Sequence, residues 1–143
     1  MDILQIVASV IIGLFAGSLL MEGAILVPYW RRMPPNDFFR LHSEVGPSLF
    51  RYFAPLTSGA VGLAIIAAIM QGELYAWRTA TALLCVAALI IFLIYFRKAN
   101  TSFADRSLTN ADLGAELARW SAWHWLRTVI VIAAFTASLI AYL

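Results

Sequence analysis

The chain has 143 residues, of which 62% are hydrophobic and only 13% are charged, and its mean hydropathy is +0.83. These values exclude an ordinary soluble domain and predict a single integral membrane domain that covers the whole chain. The net charge of +2 is too small and too dispersed for nucleic-acid binding, and the lone Cys85 excludes an internal disulfide.

Four apolar runs follow one another along the chain, and each can supply the roughly 20 helical residues that a bilayer core requires. No run alternates with the period of a β-strand, and backbone groups in lipid must be hydrogen-bonded internally, so all four runs are predicted to be helices. We expect an all-α, integral membrane four-helix bundle with spans at about 3–30, 47–70, 74–96 and 120–143.

The first and third connections carry helix-start signals. In the first, the turn at 33–37 is followed by Asp37, Phe38 and Leu41, which predict a short interfacial helix in this connection. In the third, Thr109 and Asp112 form a variant of the capping box, which predicts a helix that runs on into the fourth span.

Basic residues are concentrated beside the same two connections, whereas the second connection has only Arg78. They are Arg31, Arg32, Arg40, Arg51, Arg97, Lys98, Arg106, Arg119 and Arg127. The positive-inside rule therefore predicts that these connections are cytoplasmic and that both termini lie on the outer side, in a bacterial inner membrane. An inner aromatic belt is then expected at Trp30, Trp120, Trp123 and Trp125.

Glu22 interrupts the first apolar run about two turns inside the expected boundary, where a carboxylate is costly and requires a partner. Arg127, the only charge in the fourth run, lies at a comparable depth. Two compatible interpretations remain open. Glu22 is a structural ion-pair partner of Arg127, or it is a site residue that binds a metal, accepts a proton or anchors a substrate.

The two histidines, His42 and His124, fall on the same side of the membrane as Glu22. Glu116 precedes His124 by eight residues, a little over two helical turns, and is expected roughly on the same face. Glu22, His42, His124 and Glu116 would supply the ligands that suit iron, zinc or copper. A histidine acting as a metal-free base, or hydrogen-bonded interfacial histidines without such a role, are the alternatives.

Gly13 and Gly17 form a GxxxG motif. Such a motif lets another helix approach closely, either within the bundle or in a homo-oligomer.

Two segments of the chain carry a family resemblance. They are residues 17–23 with Val27-Pro28 and 35–39, and residues 117–128 with Ala134-Phe135. Both resemble the anthrone oxygenase-like family (DUF1772) of small four-helix membrane proteins. The resemblance implies a four-helix bundle and an oxygenase-type reaction on an aromatic polyketide or similar apolar substrate, with His124 and Arg127 at the site.

We therefore expect a membrane oxidoreductase in which His124 or His42 removes a proton from a lipophilic aromatic substrate, or holds a metal beside it. Arg127 would stabilise negative charge that develops on oxygen. The alternative is a non-enzymatic membrane protein for metal handling, transport or accessory assembly. Transport would require a polar path, and the outer half of the spans has no ionisable residue.

Overall fold

The computed structural model describes residues 3–70 and 76–142, and these form four long helices. They are α1 (Ile3–Arg32), α2 (Pro35–Ile69), α3 (Ala76–Ala104) and α4 (Asn110–Ile140). All four are long and apolar enough to cross a membrane. The prediction of an all-α, integral membrane four-helix bundle is confirmed, while the predicted start of the third span at residue 74 lies outside the described residues.

The helices pack in a ring in which α1 and α3 each contact both α2 and α4. At one end of the bundle the side chain of Gln5 donates to the Ser138 carbonyl at 3.0 Å, and Tyr142 donates to Ser9 at 3.4 Å. The opposite end holds residues 33–34 and 105–109, and we call it the connection end. Antiparallel neighbours of this kind follow from short connections.

The start of α4 confirms the predicted cap. The Thr109 hydroxyl accepts from the Asp112 backbone N–H at 3.2 Å and donates to the Asp112 carboxylate at 2.6 Å. This pair satisfies an N–H group that the first helical turn leaves open. The helix then continues without a break into the fourth apolar run, as expected.

The first connection is shorter than predicted, because the expected interfacial helix is not a separate element. Its residues are the first turns of α2, which begins at Pro35 and runs to Ile69 through Pro47 and Pro55. Each proline removes only one backbone N–H, and membrane helices tolerate that loss. The prolines therefore lie inside α2 and do not mark its start.

A single turn of π-helix interrupts α1 at Glu22–Leu26, and another interrupts α3 at Phe92–Phe96. In the first, the Val27 N–H bonds to the Glu22 carbonyl five residues earlier. Pro28 follows directly and cannot pack against the carbonyl four residues before it, which explains the wider turn. No proline lies beside the second π turn.

The helices are longer than a bilayer core is thick, since 29 to 35 residues correspond to about 43–52 Å of helix against about 30 Å of hydrocarbon. Their uncharged parts are 3–21, 52–69, 79–96 and 128–142, each about 22–29 Å long. The excess length therefore lies at the connection end. Two tryptophans predicted for the aromatic belt, Trp30 and Trp120, are buried there, with ring centroids 5.8 Å apart.

Candidate functional site

Three polar side chains meet inside the bundle where the charged parts of the helices begin. Glu22 is 4% exposed, His124 is 0% exposed and Arg127 is 7% exposed. Glu22 Oε2 lies 3.6 Å from His124 Nδ1 and 4.0 Å from Arg127 Nη2. The predicted proximity of Glu22 and Arg127 is confirmed. His124, on the same helix as Arg127, is the third residue of the group.

His124 is held in one orientation and one tautomer. Its Nε2 lies 2.8 Å from the Leu19 carbonyl oxygen, which can only accept, so Nε2 carries the hydrogen and donates it. In the neutral ring Nδ1 then accepts, and Arg127 Nη2 donates to it at 3.4 Å. The Trp120 ring stacks on the imidazole with centroids 5.0 Å apart and planes 9° apart. His124 therefore presents Nδ1 to the Glu22 carboxylate.

Gly23 allows this close contact between α1 and α4. A Cβ at this position would lie 3.0 Å from His124 Cδ2, 3.1 Å from its Nε2 and 3.2 Å from Trp125. Any side chain larger than hydrogen would push the imidazole away from α1. The sequence prediction missed Gly23, although a glycine directly after a buried acid was a usable signal.

Arg127 is held on its other side by an aromatic ring. Its guanidinium carbon lies 4.1 Å from the centroid of Phe96, a cation–π contact made at the end of the second π turn. Arg127 Nε and Glu22 Oε2 are both buried without a hydrogen-bond partner. Unpaired buried polar atoms are costly, so both atoms would gain from a further hydrogen bond.

A cavity of about 650 Å³ opens beside this group, and Glu22 and Arg127 both form part of its wall. His124 does not. The cavity runs between α2 and α3, and eight of its lining residues are Trp or Phe, namely Trp30, Phe38, Phe50, Phe53, Phe92, Phe96, Phe103 and Trp120. Phe50 is 60% exposed, so the cavity wall reaches the surface of the bundle, beside the end of the uncharged part of α2.

The structure does not bring Glu116 to this group. Its carboxylate accepts from the Tyr95 hydroxyl at 2.7 Å and pairs with Arg119 at 3.0 Å. Eight residues at 100° each end about 80° away from a whole number of turns, so Glu116 faces α3 while His124 faces α1.

His42 is also separate, because its ring packs against Phe38 and Phe103, with centroids 5.7 and 5.3 Å away. It lines the same cavity as Glu22 but has no contact with Glu22, His124 or Arg127. Among residues 3–70 and 76–142, no three His, Cys, Asp or Glu side chains are grouped as metal ligands. The predicted set of Glu22, His42, His124 and Glu116 therefore does not fit one metal ion.

The GxxxG glycines have different surroundings. A Cβ on Gly13 would lie 2.9 Å from the Phe135 ring of α4, whereas a Cβ on Gly17 would meet nothing within 4 Å. Gly13 thus packs within the bundle. A homo-oligomer through Gly13 and Gly17 stays a prediction.

No protein-family model, no curated protein and no solved structure matches the chain. The resemblance to the anthrone oxygenase-like family therefore stays a prediction.

Proposed function

We propose that the protein is a membrane oxidoreductase of the oxygenase type that acts on a lipophilic aromatic substrate bound in the cavity. One observation carries the proposal. A buried carboxylate and a buried guanidinium lie together on the wall of a cavity that is rich in aromatic rings and reaches the surface of the bundle.

The cavity suits a flat, apolar molecule. Its volume of about 650 Å³ lies in the range of small-molecule sites, and its mostly apolar surface combines eight Trp and Phe rings with nine polar side chains. Aromatic rings favour stacked or edge-to-face contacts with another ring system. A substrate dissolved in the bilayer would enter at the part of the cavity that Phe53 and Thr57 line, inside the uncharged part of α2.

Glu22 is the proposed base, in place of the histidines favoured by the sequence. Glu22 lines the cavity, whereas His124 is fully buried behind it and does not touch the cavity. The carboxylate would take a proton from an activated CH₂ group or hydroxyl of the substrate. Arg127 would stabilise the negative charge that moves onto a substrate oxygen.

Dioxygen is the oxidant of the proposed reaction. The activated CH₂ carbon loses both hydrogens and gains one oxygen atom as a carbonyl, while the second oxygen atom leaves as water with the two hydrogens. Four electrons pass from the carbon to dioxygen, so the equation balances without a further reductant. The task of the chain is the first proton removal, and it uses no metal ligand set.

His124 is a positioning residue in this scheme. Its Nε2–H is anchored on the Leu19 carbonyl, and its Nδ1 lies 3.6 Å from the Glu22 carboxylate. Nδ1 accepts from Arg127 Nη2 at 3.4 Å, so His124 orients the guanidinium that lies 4.0 Å from the Glu22 carboxylate. Such a residue affects the reaction step more than the binding of substrate.

The first test replaces the base. Glu22→Gln should lower kcat for oxygen uptake with anthrone, an aromatic with an activated CH₂ group, by at least about 100-fold, since it removes general base catalysis. Glu116→Gln is the matched control, because Glu116 pairs with Tyr95 and Arg119 away from the cavity. Unchanged kcat in Glu22→Gln, or no oxygen uptake by the unmodified protein, would refute the proposal.

The second test concerns His124. His124→Ala should lower kcat with little change in KM, and His124→Gln, whose amide can still donate to the Leu19 carbonyl, should recover part of the loss. Steady-state kinetics in detergent micelles give both constants. A rise in KM alone, with kcat unchanged, would assign His124 to substrate binding instead.

No structural feature favours the transport alternative. Between the site and the opposite end of the described bundle, the core consists of apolar side chains, including Ile12, Phe15, Leu19, Val131 and Ala134. The buried hydroxyls of Thr81, Thr128 and Ser138 in this part donate to carbonyls of their own helices and so form no continuous polar path.

A further inference from the structure

His42 lines the cavity at a distance from Glu22, and the proposed reaction does not use it. In the described parts of the chain neither of its ring nitrogens has a hydrogen-bond partner, and Nδ1 is buried. The ring is held by Phe38 and Phe103, and Gly46 lies one turn along α2 against it. Because Nδ1 is buried, Nε2 is the ring nitrogen that can bond to a ligand, as a donor or as an acceptor according to the tautomer.

The distance between the two polar centres follows from α3. Arg127 lies on the Phe96 ring, and His42 lies beside the Phe103 ring. These two phenylalanines are seven residues apart, which is nearly two helical turns and about 10 Å along the axis. Both rings line the cavity, so they lie on the same side of α3.

The contact between α1 and α2 gives the same separation independently. The Ser18 and Tyr52 hydroxyls are 2.8 Å apart and fix the register of the two helices. Toward the connection end, Glu22 is four residues from Ser18 along α1. His42 is ten residues from Tyr52 along α2, which runs in the opposite direction. The difference of six residues corresponds to about 9 Å.

We propose that His42 forms a second hydrogen-bonding subsite, which binds the far end of an elongated aromatic ligand. The ligand carries one oxygen function at the Glu22–Arg127 wall and another about 10 Å away at His42. Because an imidazole both donates and accepts, the second group is a hydroxyl or a carbonyl. This inference rests on the cavity of the proposed function and defines the class of molecule that it accepts.

The test compares two probes, 2,6-dihydroxyanthracene and 2-hydroxyanthracene, which differ only in the hydroxyl at the second end. Quenching of the cavity tryptophans, Trp30 and Trp120, reports their binding to the detergent-purified protein. The unmodified protein should bind the dihydroxy probe about two- to tenfold more tightly, as expected for one net hydrogen bond. His42→Phe should abolish this preference and leave binding of the monohydroxy probe unchanged.

Two further variants complete the experiment. His42→Gln keeps a hydrogen-bonding side chain and should retain part of the preference, and it also serves if His42→Phe does not fold. Thr136→Val removes a hydroxyl that is exposed outside the cavity, and should retain all of it. The subsite is refuted if the unmodified protein has no preference or if His42→Phe keeps it.

Binding and turnover are measured separately, so the two proposals can fail separately. A preference lost in His42→Phe without any oxygen uptake would support the subsite and refute the oxygenase. Oxygen uptake that depends on Glu22, with a preference that is independent of His42, would do the reverse.

Discussion

Glu22 and Gly23 are neighbours in the chain and have different tasks at the site. The carboxylate of Glu22 lines the cavity, whereas the missing side chain of Gly23 leaves room for the His124 ring. His124 Nδ1 lies 3.6 Å from the Glu22 carboxylate, so a displaced imidazole would change the surroundings of the acid.

Gly23→Ala should therefore destabilise the protein and reduce its activity. The new methyl group would meet His124 and Trp125 at 3.0–3.2 Å, and overpacking of this kind costs about 1–3 kcal/mol. The free energy of unfolding in mixed micelles measures the effect. Gly17→Ala is the control, and its change should be neutral or stabilising by less than about 1 kcal/mol, since its Cβ would meet nothing within 4 Å. Equal effects at both positions would contradict this account.

Part of the site could be predicted residue by residue. The high cost of a charge in lipid was sufficient to pair Glu22 with Arg127 and to place both inside the bundle. The direction of each side chain around its helix was harder to predict, because an error of one residue rotates it by about 100°. Glu116 was assigned to the face of His124 for this reason, and Gly23 was overlooked because its role depends on a neighbouring helix.

At the scale of the helices, the caps and the long apolar runs were predictable, but the two π turns were not. A π turn adds one residue to a helix and shifts the face of everything that follows it. The turn at Phe92–Phe96 brings the Phe96 ring onto Arg127, and no proline or glycine within it indicates its presence. The start of the second span was expected at about residue 47, whereas α2 begins at Pro35 and continues through Pro47.

The cap of α4 gives a prediction at this scale. Thr109→Val removes the hydroxyl that accepts from Asp112 N, and should lower the free energy of unfolding by about 1 kcal/mol. Because the cap is 15 residues before His124, kcat should not change. Thr136→Val, an exposed threonine that bonds within the same helix, should change stability by less than about 0.5 kcal/mol. A loss of kcat in Thr109→Val would show that the cap also shapes the site.

The whole molecule has one end rich in basic residues, and we propose that this connection end faces the cytoplasm. Asn36→Cys and Tyr142→Cys place thiols at opposite ends of the bundle, while the native Cys85 is 2% exposed and should not react. In intact cells a membrane-impermeant maleimide should label Tyr142→Cys, and should label Asn36→Cys only after permeabilisation. The reverse pattern would contradict the proposed orientation.

The cavity crosses the level at which the uncharged parts of the helices end, and this position has a kinetic consequence. A substrate that arrives through the bilayer is sampled at its mole fraction in lipid and not at its concentration in water. Adding inert phospholipid to proteoliposomes at a fixed total amount of substrate would dilute it in two dimensions, and the apparent affinity would fall in proportion. A value of KM for this protein would therefore have meaning only when the lipid content of the assay is stated with it.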